Sequence, residues 1–364
     1  SNNTAVGYAS LAANTTGADN VAFGMCALKA NTTASNNTAV GYRTMSINTT
    51  GAANSAFGVY ALYANTTGSN NTATGNSALV NNTTGTRNTA VGTLSLDANT
   101  TADDNTAVGY ESLGANTTGA NNTAFGKSSL KSNTTSDDNT ALGFKTLCTN
   151  TTGVGNVGVG AYALQVNTTA NESTAVGYVA LATNTTGAQN TAVGRGALQV
   201  NTGSDNVAMG YGALDAITTG IKNVGIGNYS LSQNTTASNN TAVGYQSLYL
   251  NTTGVDNAAV GYCALTKNTT GSCNVAMGIQ AGQDVTTGAK NTMIGSFAGK
   301  DLVDGSTNTL IGYNTQSSSD SGTNRIALGC GVTVSANDQF RFGNGATDVV
   351  FNQFATNASF TRVS

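Results

Sequence analysis

A seventeen-residue repeat fills nearly the whole chain and constrains its fold more than any other feature. A glycine follows a short run of small and apolar residues, first at Gly7, and recurs every seventeen residues up to Gly194. One interval of sixteen residues leads to Gly210, intervals of seventeen continue to Gly329, and an interval of fourteen reaches Gly343. So long a run of a short period indicates stacked units that bury their apolar faces against one another. Seventeen residues is too short for a pair of helices, so each repeat is predicted to be one coil of a β-solenoid.

The run before each glycine predicts a strand that is apolar on both faces. The residue directly before the glycine is apolar in every coil except the one with Thr74, and the residue before that is usually Ala. Strand alternation places Thr4 and Val6 on one face and Ala5 on the other. One face can fill the solenoid interior, and the other then needs a second chain, so we expect a parallel homotrimer. Thr74 is predicted to lie in the interior with these apolar residues, so replacing it by Val should stabilise the coil slightly.

Two columns of repeated residues after the glycine predict a core and a polar bend. Leu or Met stands four residues after the glycine in the first sixteen coils, which predicts a continuous core column. Asn stands seven residues after it, except at Ile217, and stacked Asn side chains can hydrogen-bond from coil to coil. Each coil is therefore expected to contain two short strands and two polar bends. The core column includes Leu11, Leu28, Leu62, Leu113, Leu164 and Leu248, and the Asn column includes Asn14, Asn31, Asn48, Asn65 and Asn116.

Several of these columns also have functional interpretations. Each Asn-Thr-Thr is an N-glycosylation sequon as well as a bend, and its regularly spaced Thr residues resemble the arrays of ice-binding solenoids. A row of Tyr follows the repeat glycine directly, and such a row either packs at an interface or stacks against sugars. The Tyr row includes Tyr8, Tyr42, Tyr110, Tyr178 and Tyr245.

Composition argues against several classes of function. The 14 Lys and Arg residues are spread singly against 17 Asp and Glu, so we expect no nucleic-acid partner. No apolar stretch approaches the roughly 20 residues of a membrane span. The chain has no His, its five Cys are scattered, and its acids lie mostly at bends such as Asp103–Asp104 and Asp137–Asp138. Cys263 and Cys273 could pair only across one coil, and most of the thiols are predicted to be free and buried. We predict no catalytic residues, no metal and no cofactor.

The repeat changes after Gly278, where the Leu column is replaced by Gly282, Gly299 and polar residues. This change predicts a regular solenoid shaft over residues 1–278 and divergent coils over 279–343. Residues 344–364 leave the repeat and are rich in Phe, so they are predicted to cap the open edge of the solenoid.

The units Asn-Thr-Ala-Val-Gly and Asn-Val-Ala-Met-Gly resemble the head repeats of trimeric autotransporter adhesins. That resemblance covers the strand and its glycine over about 330 residues, but not the Asn-Thr-Thr insertion. It implies a left-handed parallel β-roll packed three around an axis.

The last eight residues, Asn357–Ser364, look like the segment before the intramolecular chaperone of endosialidase-type phage tail fibres and tailspikes. In that family the trimeric chaperone cuts itself off after a Ser, which implies that Ser364 is the mature C-terminus after autocleavage. Without such a template, shifts of seventeen residues between coils are expected to be nearly isoenergetic.

These observations predict an extracellular structural and adhesive fibre, either a virion tail fibre or a cell-surface fibre. Its partners would be two further copies of itself and a host- or cell-surface glycan or protein receptor. The alternatives are a self-assembling extracellular filament or a bacterial surface adhesin. An ice-binding solenoid and a polysaccharide-degrading solenoid are two further alternatives.

Overall fold

The computed structural model describes residues 2–345 and the two-residue strand 352–353. It confirms an all-β parallel solenoid built from coils of about seventeen residues, and the described residues contain no helix. The chain divides into two compact units, Ser1–Gln189 and Asn190–Ser364. This division does not coincide with the change of repeat at Gly278.

The first unit contains eleven strands of three residues each, one per coil. Within this unit, neighbouring strands from β1 to β11 pair in parallel at an offset of seventeen residues, as in Ala5 opposite Ala22. The strands are β1 (Thr4–Val6), β2 (Val21–Phe23), β3 (Thr38–Val40), β4 (Ser55–Phe57), β5 (Thr72–Thr74), β6 (Thr89–Val91), β7 (Thr106–Val108), β8 (Thr123–Phe125), β9 (Thr140–Leu142), β10 (Val157–Val159) and β11 (Thr174–Val176).

The second unit continues the pattern and then departs from it. Its last strands lengthen, a two-stranded sheet forms from β20 and β22, and β24 pairs with β23 in the antiparallel direction. The strands are β12 (Thr191–Val193), β13 (Val207–Met209), β14 (Val224–Ile226), β15 (Thr241–Val243), β16 (Ala258–Val260), β17 (Val275–Met277), β18 (Thr292–Ile294), β19 (Thr309–Ile311), β20 (Gln316–Ser317), β21 (Ile326–Cys330), β22 (Thr333–Val334), β23 (Gln339–Asn344) and β24 (Asn352–Gln353).

A repeat glycine directly follows each of the strands β1 to β19, and two backbones approach each other closely there. Gly143, for example, has a φ of 140°, which side-chain-bearing residues rarely adopt. A Cβ on Gly143 would lie 2.7 Å from the carbonyl carbon of Gly160 in the next coil. No other residue type fits this conformation without moving the backbone, which explains why the glycine marks the period.

The interior of each unit is filled by two apolar columns, a small one from the strand and a large one from the turn. The Ala at the centre of the strand is fully buried, as at Ala39 and Ala107, and the Leu column packs in the same interior. Leu11 is half-buried in the first described coil. The other predicted core residues are fully buried, namely Leu28, Leu62, Leu113, Leu164 and Leu248.

The expectation of a second strand in each regular coil is wrong. The Leu column lies in a turn, where every Leu or Met has a positive φ, such as 49° at Leu28 and 49° at Met45. A left-handed residue cannot continue an extended strand, and this conformation costs about 1 kcal/mol or more for a residue with a Cβ. Backbone hydrogen bonds still join neighbouring coils here, as from Leu28 N–H to Thr44 O at 3.1 Å. Burial of the Leu side chain, at about 1.5–3 kcal/mol, offsets the conformational cost.

Candidate functional site

The outward side of the strands is a continuous surface of mainly apolar and Thr side chains in each unit, and these side chains are half-buried or exposed. We call it the outer face. It consists of the side chains three residues before, one before and one after each repeat glycine. Phe23 is 56% exposed and Phe125 is 53% exposed, whereas the Ala beside each of them is fully buried. Exposed apolar surface that continues over many coils marks a site of association.

The outer face is also almost free of charge. Its two strand columns contain no charged residue in any coil from β1 to β19, and the third column contains only Lys127 and Arg195. Thr74 lies on this face and is exposed. The expectation that its hydroxyl is buried in the interior is therefore wrong, since the Ala face of the strand is the one that turns inward.

The Tyr row runs along one edge of the outer face. Tyr8, Tyr42, Tyr110, Tyr178 and Tyr245 are all exposed. In the first unit, Tyr42 and Tyr60 meet edge to face with ring centroids 5.5 Å apart. In the second unit, Tyr245 and Tyr262 stack with centroids 5.6 Å apart. Such rings offer apolar faces with a hydroxyl at the rim, which suits both a protein interface and a sugar.

A charged notch of about 240 Å³ opens beside this edge in the first unit. It forms because Gly114 has no side chain at a place where the coils on either side carry Asp97 and Lys131. Glu111 lies next to the gap, and its carboxylate accepts from the Lys131 ammonium at 2.7 Å. The residues that line the notch are Leu94, Asp97, Glu111, Gly114, Ala115, Lys131 and Ser132.

The two carboxyl groups of the notch are pushed in opposite directions. Partial burial, followed by the charge of Glu111, raises the pKa of Asp97. The hydrogen bond from Lys131 lowers the pKa of Glu111, and the Tyr110 hydroxyl donates to the same carboxylate. Opposed shifts of this kind suit acid–base chemistry, and the same groups can bind hydroxyl or ammonium groups of a ligand.

The notch qualifies the expectation that the acids lie scattered at bends. Asp103 and Asp104 do lie at a bend and pair with Arg87. Asp97 and Glu111, however, come from adjacent coils and reach one recess. Asp97 lies five residues after one repeat glycine, and Glu111 lies two residues after the next. An alignment of the coils on their glycines could have shown that the two carboxyl groups lie close together.

The Asn column is closed to modification in the folded coils. Asn31 is fully buried, and its Nδ2 donates to Asn14 Oδ1 at 3.0 Å and to Ala34 O at 3.0 Å. Asn48, Asn65 and Asn116 are buried in the same way. Because glycosylation needs a free Nδ2, the bend explains the Asn-Thr-Thr repeat and the folded sequon cannot act as an acceptor.

The Thr residues of this bend divide into two columns. The first Thr bonds to the next coil, as from Thr32 Oγ1 to Thr49 O at 3.2 Å. The second, such as Thr33, is exposed. A single exposed Thr column therefore follows the bend.

All five Cys are free, but only Cys26 and Cys263 are buried, whereas Cys273 and Cys330 are exposed. The prediction that most of the thiols are buried is therefore wrong. Burial raises the pKa of the half-buried Cys148 thiol. The part of the chain that the structure describes holds no group of three or more His, Cys, Asp or Glu that could bind a metal ion. No helix in that same part could cross a lipid bilayer.

No protein-family model matches this chain, and no curated protein matches it either. The predicted cleavage point Ser364 lies outside the described residues, and so does most of the predicted cap over residues 344–364, of which only 344–345 and 352–353 are described. Both stay predictions.

Proposed function

We propose that this chain is the shaft of an extracellular adhesive fibre and assembles as a parallel homotrimer. The outer face is the observation that supports this proposal. It is half-buried or exposed, nearly free of charge in both units and carries an apolar side chain before each repeat glycine except at Thr74, and obligate oligomers bury uncharged apolar surfaces. In a parallel arrangement the same columns of three chains meet at the same height, so Val and Phe pack against their equivalents. The resemblance to autotransporter heads supports a left-handed solenoid in this assembly.

Within this proposal, the shaft provides reach and stiffness, and it displays side chains that remain outside the trimer interface. The notch at Asp97, Glu111 and Lys131 is a recess that can receive a hydroxyl- or ammonium-bearing group of a receptor. The receptor is a glycan or a protein on a host or cell surface. The fibre itself is attached to a virion or to a bacterial surface. A self-assembling filament is the alternative if no receptor is bound.

A second candidate function, polysaccharide degradation, rests on the opposed carboxyl groups of the notch. It predicts that the purified assembly releases reducing ends from a polysaccharide. It further predicts that Glu111→Gln abolishes the release while the Asp104→Asn variant, altered at a bend, retains it. Absence of any released sugar across a panel of bacterial polysaccharides would leave the fibre proposal alone.

The trimer can be tested with two matched substitutions. Val91 on the outer face is 37% exposed and Ile47 in the turn is 39% exposed, so Asp at either place changes the isolated chain to a similar extent. Wild-type protein should sediment at about three times the chain mass of 36.3 kDa. Val91→Asp should dissociate it, because the trimer would bury three carboxylates together, and Ile47→Asp should not. A wild-type monomer at micromolar concentration, or equal effects of the two variants, would contradict the proposal.

A further inference from the structure

A second period, twice as long as the coil, is present at one place in the repeat. We call the residues six before each repeat glycine the alternating column. From coil to coil this column alternates without exception between Ser, Asp or Asn and residues chosen from Ala, Val, Ile and Thr. The column is Ala18, Ser35, Ala52, Ser69, Thr86, Asp103, Ala120, Asp137, Val154, Asn171, Ala188, Ser204, Ile221, Ser238, Val255, Ser272, Ala289, Ser306, Thr323 and Asn337.

The structure of the first unit shows what the alternation does. The backbone N–H of Ala18 donates to Ser35 Oγ of the next coil at 2.9 Å. The N–H of Ala52 donates to Ser69 Oγ at 3.0 Å. The same bond is made at three further alternate junctions, from Thr86 to Asp103 Oδ1, from Ala120 to Asp137 Oδ1 and from Val154 to Asn171 Oδ1.

The second unit repeats the arrangement with the same spacing. Ile221 N–H donates to Ser238 Oγ at 3.1 Å, and Val255 N–H donates to Ser272 Oγ at 3.1 Å. The bonds from Ala289 to Ser306 Oγ and from Thr323 to Asn337 Oδ1 follow. The last of these is kept although the final interval between repeat glycines is only fourteen residues.

The three acceptor types differ in shape and charge. A Ser hydroxyl, an Asp carboxylate and an Asn amide share only a short side chain that ends in an oxygen lone pair. In the coils between them, Ala52 and Val154 offer no side-chain acceptor to the coil below. The hydroxyl of Thr86, in the same set of coils, is used as a donor, to Asp103 Oδ1 at 2.9 Å. The side-chain hydrogen bond to the backbone N–H of the neighbouring coil is therefore the property that alternates, and junctions such as that from Ser35 to Ala52 lack it.

Other columns form the same hydrogen bond at successive junctions between coils. In the Asn column before the strand, Asn37 N–H donates to Asn20 Oδ1 at 3.0 Å and Asn54 N–H donates to Asn37 Oδ1 at 2.9 Å. Those bonds join each coil equally to the coil above and to the coil below. They define a period of one coil, whereas the alternating column groups coils into twos.

We propose that the structural unit of this solenoid is a pair of coils, about 34 residues long, closed by the hydrogen bond of the alternating column. The junctions between pairs, such as that from Ser35 to Ala52, lack this bond and are where the coils open first. Displacement by one coil is then unequal to displacement by two, in contrast to the expectation that all seventeen-residue shifts are nearly isoenergetic. This inference does not depend on the proposed fibre function.

Amide hydrogen exchange in the full chain tests the bond itself. The amide of Ala52 should exchange about five- to tenfold more slowly than that of Ser35, since one net hydrogen bond corresponds to about 1 kcal/mol. Ser69→Ala should remove that difference at Ala52 and leave Ala18 unchanged. Ser69→Asn keeps an acceptor and should restore the protection. Equal exchange of Ala52 and Ser35 in the wild-type chain would overturn the proposal.

Two deletions of equal length test the paired unit. Removal of residues 25–41 deletes an acceptor coil and places Ala18 below Ala52, so one amide loses its acceptor. Removal of residues 42–58 deletes the other kind of coil and places Ser35 below Ser69, so every acceptor stays in use. The first deletion should melt about 2 °C lower than the second. Identical melting of the two would show that coils are independent units.

Discussion

Two regions of the second unit, the regular coils up to Gly278 and the coils that follow, fill the same kind of interior with opposite arrangements of side chains. In the regular coils the strand contributes a small Ala and the turn contributes a large Leu, as with Ala259 and Leu265. After Gly278 the strand contributes the large residues Met293 and Leu310, which are fully buried. The turn contributes glycine at the place of the Leu.

Contacts at these glycines explain the exchange. A Cβ on Gly282 would lie 2.6 Å from Met293 Cε, and a Cβ on Gly299 would lie 2.9 Å from Leu310 Cδ1. Both glycines keep the positive φ of the Leu column, 59° at Gly282 and 60° at Gly299. The fold therefore requires a filled interior in each coil and a left-handed residue in the turn. The large side chain that fills the interior can come from either the strand or the turn.

The polar columns of the two regions differ as well. The Asn column of the bend gives way to Val285 and Leu302, which are fully buried. Asn268 is the last Asn before this change, and its Oδ1 is buried without a hydrogen-bond partner. The second Asn column ends at Arg325, whose guanidinium donates to Ser317 Oγ at 2.7 Å. Burial lowers the pKa of Arg325.

The largest expected effect comes from forcing a regular residue into a divergent coil. Gly282→Leu should lower the free energy of unfolding by about 3 kcal/mol, because Met293 already occupies the space. Met293→Ala alone leaves a cavity and should cost about 2–5 kcal/mol. Equilibrium denaturation of both single variants and the double variant provides the measurement.

In the double variant Gly282→Leu with Met293→Ala, the large residue returns to the turn. Its loss of stability should be smaller than the sum of the two single losses by at least about 1 kcal/mol. Strict additivity would show that the two positions do not share one volume, and the comparison of the regions would fail.

The next effect separates the two regions by their polar columns. Asn48 donates to Asn31 Oδ1 at 3.1 Å and accepts from Asn65 Nδ2 at 2.7 Å. Asn48→Val leaves buried groups on both neighbours unpaired and should cost about 2 kcal/mol. Val285→Asn should change stability by less than about 1 kcal/mol, since its Nδ2 can donate to Asn268 Oδ1 while an apolar contact is lost. Denaturant unfolding measures both losses. If the two variants lose the same stability, substitutions at the end of the Asn column are no better tolerated than substitutions inside it.

The smallest effect concerns Asp97. It lies five residues after a repeat glycine, a position that holds different residue types from coil to coil. The pKa of Asp97 is raised in the folded chain, so the folded state binds its proton more tightly than the unfolded state and loses stability as the pH rises through this pKa. Asp97→Asn should therefore raise the Tm at pH 7 by about 1 °C. The difference should vanish near pH 3, below the ordinary carboxyl pKa of 3.8.

The control for this experiment is Asp104→Asn. The hydrogen bond from Arg87 lowers the pKa of Asp104, so that carboxylate stabilises the folded chain above its ordinary pKa and the stabilisation is lost on acidification. Asp104→Asn should thus lower the Tm at pH 7, opposite in sign to Asp97→Asn. Melting temperatures that shift in the same direction for both variants would contradict the electrostatic assignment of the notch.

Much of the fold was predictable because each structural position recurs in about twenty coils, so the residue types that it accepts can be compared. The strand before the glycine, the buried Leu column and the hydrogen-bonded Asn column all follow from what recurs at one place. The second strand was predicted wrongly because Leu gives no sign of a left-handed conformation. Gly282 and Gly299, at the same place in later coils, were the available signal.

The candidate site was less predictable than the fold. The outer face was recognised only as one of two small or apolar faces, and Asp97 and Glu111 were not connected. Their proximity depends on coils stacking about 4.8 Å apart with Gly114 between Asp97 and Lys131, which no local pattern expresses. The pairing of coils through Ser35, Ser69 and their equivalents is visible in the sequence, but its meaning required the hydrogen bonds.

The sequence by itself determined the coil length, the strand, the parallel register and the Leu column of the core, because a fixed period repeats the same position in each stacked coil. The tertiary structure alone decided which strand face turns inward, which left the neutral face exposed. Both faces are small and apolar, so alternation cannot distinguish them. The choice depends on the direction in which the turn closes the coil, and that direction is set by left-handed residues such as Leu28 and by the inward packing of their side chains.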